Sequence, residues 1–163
     1  MVRFTRLDAA CIGVIIASIV IALIIYPQLP GSIPTHWNAD GEIDGRMSKT
    51  TGIIVFPAII IALYLLFLFL PQMAVKQRNV LSFKHQIDML KFLMVLFFST
   101  LFIVSLFIAL GFSVPMRYIV VLGIAIIFFF IGSMMRHIRQ NYFIGIRTPW
   151  TLSSRQVWKR THD

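Results

Sequence analysis

A chain of 163 residues that is 58% apolar and only 13% charged, with a mean hydropathy of +0.85, lies far outside the range of soluble domains and reads as an integral membrane protein. Its formal net charge of +9 would suggest nucleic acid in a soluble chain, but in a membrane protein the distribution of charge matters more than the sum. The single cysteine, Cys11, excludes a disulfide within the chain.

Four stretches carry no charge at all, residues 9–26, 50–75, 92–116 and 118–135. Each is near or above the roughly 20 residues needed to cross a hydrocarbon core about 30 Å thick, which predicts four transmembrane helices. The first has the position of a signal peptide, yet its apolar run is too long and no small-x-small cleavage site follows before Pro27, so it reads as an uncleaved anchor. Its small residues Ala9, Gly13 and Ala17 form one stripe at four-residue spacing, read as helix packing within the bundle in preference to dimerisation.

The loop that follows, residues 27–49, holds Pro27, Pro30, Pro34, Gly31, Gly41 and Gly45, a pattern that rules out continuous helix and predicts an ordered run of turns. Ile33, Trp37 and Ile43 are apolar residues within it that need something to cover. Asp40, Glu42, Asp44 and Gly45 match the opening half of a calcium loop, but position 12, where a bidentate Glu belongs, is Thr51. His36 stands beside these carboxylates, and one histidine without a second close by is a poor metal set, so a structural turn network is the expectation.

The charge-free runs of the spans argue against a coupled transporter, which keeps ionisable residues at membrane depth. Tyr64, Ser99, Thr100, Ser105 and Ser133 are read as packing residues that bond their own backbone or a neighbouring helix. Phe97, Phe98, Phe102, Phe107 and Phe128 to Phe130 are read as lipid-facing or core aromatics.

Assigned to alternate sides, the fifteen basic residues divide unevenly. Arg3, Arg6, Lys76, Arg78, Lys84, Lys91, Arg136, Arg139, Arg147, Arg155, Lys159 and Arg160 fall on one side, and Arg46, Lys49 and Arg117 on the other. Twelve against three predicts that both termini are cytoplasmic and that loops 27–49 and 111–117 face outward. A basic rim of this kind attracts anionic lipid, and direct nucleic-acid binding is not required. His85, His137 and His162 read as interfacial basic residues within it.

Residues 141–162, NYFIGIRTPWTLSSRQVWKRTH, are the one stretch where charge, aromatics and turn chemistry come together. Pro149 fixes a turn between Thr148 and Trp150. Ser153 as cap, Gln156 three residues later and a staple from Leu152 to Val157 predict a helix over 154–162. At about 100° per residue, Ser154, Val157, Trp158 and Thr161 share one side and Arg155, Lys159 and Arg160 the other, the pattern of a segment lying on a membrane surface. A docked cap is expected, with Trp150 and Trp158 at the interface and Arg147 bonded to fixed acceptors.

Two of these stretches carry a resemblance. LPGSIPTHWNADGEIDGRMSK, residues 29–49, looks like the loop motif of a small membrane domain of unknown function that often precedes the SdpI domain. GIRTPWTLSSRQVWKRTH, residues 145–162, resembles the signature of the SdpI family, immunity proteins for the secreted sporulation-delaying toxin. The resemblance implies an N-terminal transmembrane hairpin over 1–75 and an SdpI-like domain over 76–163. It also implies a multipass protein that protects its cell from a membrane-active peptide toxin and holds a small transcriptional repressor at the membrane. The site residues it marks are Pro34, His36, Trp37, Asp40, Gly41, Asp44, Ser48 and Lys49 in the first motif. In the second they are Asn141, Gly145, Arg147, Thr148, Pro149, Trp150, Thr151, Trp158 and His162. Family members continue past the threonine–histidine pair into two further spans, whereas this sequence ends at Asp163.

The reading is therefore an all-α membrane protein of four transmembrane helices, with an ordered outer loop and a cytoplasmic amphipathic segment. It is non-enzymatic, with no cofactor and no metal, and its partners are the bilayer, a peptide toxin and a cytoplasmic repressor. The rival is a membrane-bound, metal-dependent enzyme that uses His36 with Asp40, Glu42 and Asp44 as an acid–base set. No serine elbow, paired-histidine zinc helix or phosphate loop accompanies it.

Overall fold

The computed structural model describes residues 4–75 and 77–163, so Arg3 and Lys76 of the basic set lie outside the described residues. Among the described residues four helices are long and apolar enough to cross a membrane: α1 (Arg6–Ile25), α2 (Lys49–Phe69), α4 (Lys84–Ala109) and α5 (Met116–Met135). The chain is a helical, multi-pass membrane protein. Short 3₁₀ turns at Tyr26–Gln28 and Leu70–Gln72 follow α1 and α2, each beginning where a proline, Pro27 or Pro71, denies the helix its next donor. A five-residue helix α3 (Gln77–Leu81) leads into α4.

Local chemistry starts the first two spans. Thr5 and Asp8 form a reciprocal capping box on α1, and the Ser48 hydroxyl accepts the Thr51 N–H at 3.1 Å to cap α2. Pro57 sits inside α2 and is buried. The central helix is α4, which packs against α1, α2 and α5. Cys11, Ile15, Ala22, Ile60, Val95, Phe102 and Leu106 form the core of the bundle, with Phe102 stacked on Phe56 at 5.4 Å. This core draws on residues both before and after position 75. The outer faces are apolar and uncovered, as at Ile24, Ile54, Leu122 and Phe129, which is the pattern expected where lipid replaces water.

Three expectations are corrected. Loop 27–49 is a two-stranded antiparallel ribbon, β1 (Ser32–Trp37) against β2 (Ile43–Ser48), and not a succession of turns. Its register is irregular around His36, where Pro34 pairs with Arg46, His36 with Gly45 and Trp37 with Ile43. A bulge of this kind absorbs the proline that would break a regular ladder.

The stripe Ala9, Gly13 and Ala17 is exposed, and the buried face of α1 is instead Asp8, Cys11, Ile15, Ser18 and Ala22. Small residues permit close approach, but the neighbouring helix lies on the face that carries the polar pair Asp8 and Ser18.

At the C-terminus the predicted helix forms as α7 (Arg155–His162), but a further short helix, α6 (Pro149–Ser153), precedes it and the cap is not Ser153. Thr148 caps α6 in a box with Thr151, which places Ser153 inside that helix with its hydroxyl donating to the Trp150 carbonyl at 3.0 Å. Ser154 takes the capping role on α7, accepting from the Val157 N–H at 3.4 Å. The additional start signal at Pro149 therefore takes Ser153 into α6 and moves the cap of α7 one residue on.

Candidate functional site

The motif residues gather at two opposite ends of the bundle. At the ribbon end, Ile33 is fully buried and lies where any side chain larger than hydrogen at Gly52 would sit, a Cβ there falling 2.3 Å from Ile33 Cδ1. Pro34 is buried, and its carbonyl accepts from the Ser105 hydroxyl of α4 at 2.5 Å. Lys49 donates to the Leu29 carbonyl at 2.9 Å and lies over the Tyr26 ring at 4.7 Å. Ile33, Ser105 and Lys49 thus seat the ribbon on the helix ends.

Within the ribbon, Asn38 organises the turn. Its side-chain carbonyl accepts the Asp40 and Glu42 N–H groups at 3.0 and 2.9 Å, and its amide donates to the Glu42 carboxylate at 3.2 Å. His36 Nδ1 meets Asp44 at 2.5 Å on an exposed face. Asp40 and Glu42 do not join that pair, and among the described residues no group of three His, Cys, Asp or Glu is arranged to hold a metal ion. Gly41 turns at φ +87° beside Arg117, and Trp37 is half-buried. Thr35, His36, Trp37 and Asn38 line one side of a cavity of about 480 Å³, with Phe98 and Leu101 of α4 and Val120 and Val121 of α5 opposite.

At the other end, residues 138–162 form a cap held by side chains on backbone carbonyls. Asn141 is fully buried; its carbonyl oxygen accepts from Phe143 and Ile144 N–H at 2.7 and 2.8 Å, and its amide donates to the Arg139 and Ile144 carbonyls at 2.8 and 3.0 Å. Gln140 donates to the carbonyls of Thr151 and Leu152, both at 2.9 Å. Thr151 donates to the Ile146 carbonyl at 2.8 Å, and Arg147 donates to the Tyr142 carbonyl.

Trp158 donates through Nε1 to the Ile138 carbonyl at 2.7 Å and stacks on His162 at 4.2 Å. His162 accepts the Ile146 N–H on Nε2 at 2.9 Å; two donors cannot face one another, so its ring proton sits on Nδ1 and donates to the Trp158 carbonyl at 2.8 Å. Gly145, at φ +118°, lies under both rings, where a Cβ would come within 2.6 Å of His162 Nε2. Trp158 is therefore a core residue and not an interfacial one, while Trp150 is 72% exposed. The buried side of α7 is Trp158 and His162; Val157 and Thr161 are exposed. Beside the cap, Arg136, Arg139, Arg155 and Lys159 surround a cavity of about 420 Å³ that Asp163 also lines.

A third cluster escaped sequence reading altogether. Lys91 of α4 has no exposed surface and lies 2.5 Å from Asp8 of α1 and 3.0 Å from Asp88. Lys84 reaches Asp88 at 2.5 Å, and the Tyr64 hydroxyl of α2 donates to Asp8 at 3.4 Å. The spans therefore do contain ionisable residues, and Lys91 is not part of a solvated rim. The helices begin before the charge-free runs do, so counting uncharged residues cut away Asp8, Asp88 and Lys91. The available signal was spacing: Lys84, Asp88 and Lys91 follow at i, i+4 and i+7, one face of a helix.

The comparisons with known proteins bear on both ends. The model of a domain of unknown function, DUF1648, matches residues 13–61, and that of the SdpI/YfhL protein family matches residues 137–163. The Immunity protein SdpI of Bacillus subtilis (strain 168) is 33% identical over 146 residues, covering 90% of this chain and 68% of that protein. The chain belongs to the SdpI family. The family signature is thus the cap that closes on Gly145, and the matched N-terminal domain includes the ribbon. No solved structure matches the chain.

Proposed function

We propose that this protein is an immunity protein that protects its cell from a secreted, membrane-active peptide toxin, with the ribbon end facing outward and the cap facing the cytoplasm. The observation that carries this reading is the 33% identity to the Immunity protein SdpI, which extends over 90% of the chain. The orientation rests on the division of basic residues, eleven to three once the buried Lys91 is set aside, because cationic side chains near span ends are retained on the cytoplasmic side.

The two ends suit different partners. The cytoplasmic end is rich in Arg and Lys around a cavity of about 420 Å³ and offers a folded surface for a small repressor. The outer end offers an apolar cavity to a peptide arriving from outside. With Asp44 as the one acidic partner of His36 among the described residues, the ribbon supports partner binding better than acid–base or metal chemistry.

The test is expression of the full chain in a cell killed by the sporulation-delaying toxin. Survival at toxin levels that kill the empty-vector strain is the expected result, and killing of both strains alike at matched membrane levels of the protein would overturn the reading.

A further inference from the structure

The outer cavity has chemistry that an immunity function by itself does not specify. Its helix wall is apolar, formed by Phe98, Leu101, Val120 and Val121. Its other wall is β1 from Thr35 onward, and a strand in a two-stranded ribbon keeps one edge unpaired. The Pro34 carbonyl points out of the ribbon and is taken by Ser105. Beyond Pro34 the ladder is interrupted by the register shift at His36, and this irregular stretch borders the cavity.

Arg117 adds a charge. It lies at the start of α5, exposed, with its guanidinium 5.1 Å from the Tyr118 ring and one nitrogen donating to the Tyr118 hydroxyl at 3.2 Å. Among the described residues it has no carboxylate partner, whereas His36 across the cavity is already paired with Asp44.

We infer that this cavity is a docking site for an extended peptide segment that pairs its backbone with the free edge of β1, lays apolar side chains against α4 and α5, and presents a carboxylate to Arg117. This inference rests on the proposed immunity function, and names the place and manner in which the toxin is held. Strand addition derives affinity from main-chain hydrogen bonds and specificity from alternate side chains in pockets, and the cavity supplies both components. A lipid acyl chain fits the apolar wall equally well but leaves the strand edge unsatisfied. The volume of about 480 Å³ is that of a ligand site, within the usual span of about 300–1,000 Å³.

The test uses the full chain in living cells, with synthetic sporulation-delaying toxin as the probe and a photoreactive side chain placed either at Val121, on the cavity wall, or at Phe129, on the lipid-facing surface of the same helix. Toxin captured at position 121 and not at 129 is the expected result. Arg117→Gln should lower that capture about tenfold, the scale of one lost charge-assisted hydrogen bond, and Val120→Trp, which fills the cavity, should abolish it. Arg117 is exposed, so its replacement reads the contact even if Val120→Trp impairs folding. If the unmodified chain protects cells but capture at the two positions is equal, or Arg117→Gln leaves it unchanged, the docking site is overturned and the immunity reading stands. If the chain fails to protect yet toxin is captured only at 121, the immunity reading falls and the site remains. Absence of capture at 121 overturns the site in either case.

Discussion

Lys91 and Asp8, 83 positions apart in the chain, meet at 2.5 Å with neither side chain exposed. An ammonium and a carboxylate removed from water cost several kcal/mol each, and a membrane offers no solvent to restore them, so each depends on the other. Asp88 and Tyr64 complete the arrangement, which joins α1, α2 and α4 through polar contacts at one level of the bundle. Cys11, fully buried, packs one turn from Asp8 on the same face of α1. The cluster orients the N-terminal helix against the central one.

Lys91→Met should destabilise the bundle by about 3–5 kcal/mol, because it leaves Asp8 buried and uncompensated, while Asp88 keeps Lys84. Combining Asp8→Asn with Lys91→Met should cost less than Lys91→Met by itself, since Asp88 keeps Lys84 and no unpaired buried charge then remains. Unfolding of the purified protein in detergent measures both, and a single variant as stable as wild type would remove the cluster from any account of stability.

Cysteines introduced at Glu42 and Gln156 should label from opposite sides of the membrane in intact cells. Both positions are exposed, three spanning helices separate them, and the native Cys11 is too buried to react. An impermeant reagent that modifies both in intact cells would contradict the topology.

Gly145→Ala should loosen the cap. The position has φ +118°, and the added methyl carbon would press on His162 Nε2 at the point where the Ile146 N–H is received. A cost of about 1–3 kcal/mol is expected from the backbone conformation, with faster tryptic cleavage at Arg155 and Lys159 as the readout. Arg147→Lys keeps the charge but loses the planar fork that reaches the Tyr142 carbonyl, so a smaller gain in cleavage in the same segment is expected. Wild-type protection in both variants would show that the cap does not depend on these contacts.

Ser105→Ala should release the ribbon from α4 without unfolding the helices. It removes the donor to the Pro34 carbonyl, worth about 1 kcal/mol, and leaves Ile33 packed at Gly52. Hydrogen exchange should rise across 35–37 and remain unchanged in α4 below it. Unchanged exchange at 35–37 would mean that Ile33 and Lys49 are enough to hold the ribbon.

The four spans and the start of α7 just after residue 153 depend on properties that belong to short stretches of chain. Hydropathy adds residue by residue along a segment, and a capping hydroxyl needs only a donor three positions away, so such features can be read without knowledge of any neighbour. The family signature over 145–162 is local in the same sense, as a fixed order of residue types. Relations between distant residues are of another kind. Basic residues at span ends look alike in sequence, yet Lys91 is fully buried while Arg155 is exposed, because only the approach of α1 brings Asp8 to one and leaves the other without a covering element. The stripe Ala9, Gly13 and Ala17 had the spacing of a packing face, but spacing shows which residues share a side and not which side another helix will cover. Trp158 and His162 likewise take their meaning from Gly145, where the absence of a side chain lets two rings close over the backbone. Sequence by itself determined how many times the chain crosses and where it turns; the tertiary structure alone decided which charges are paired, which face is buried and which edge is left open, because those depend on what stands opposite each residue in space.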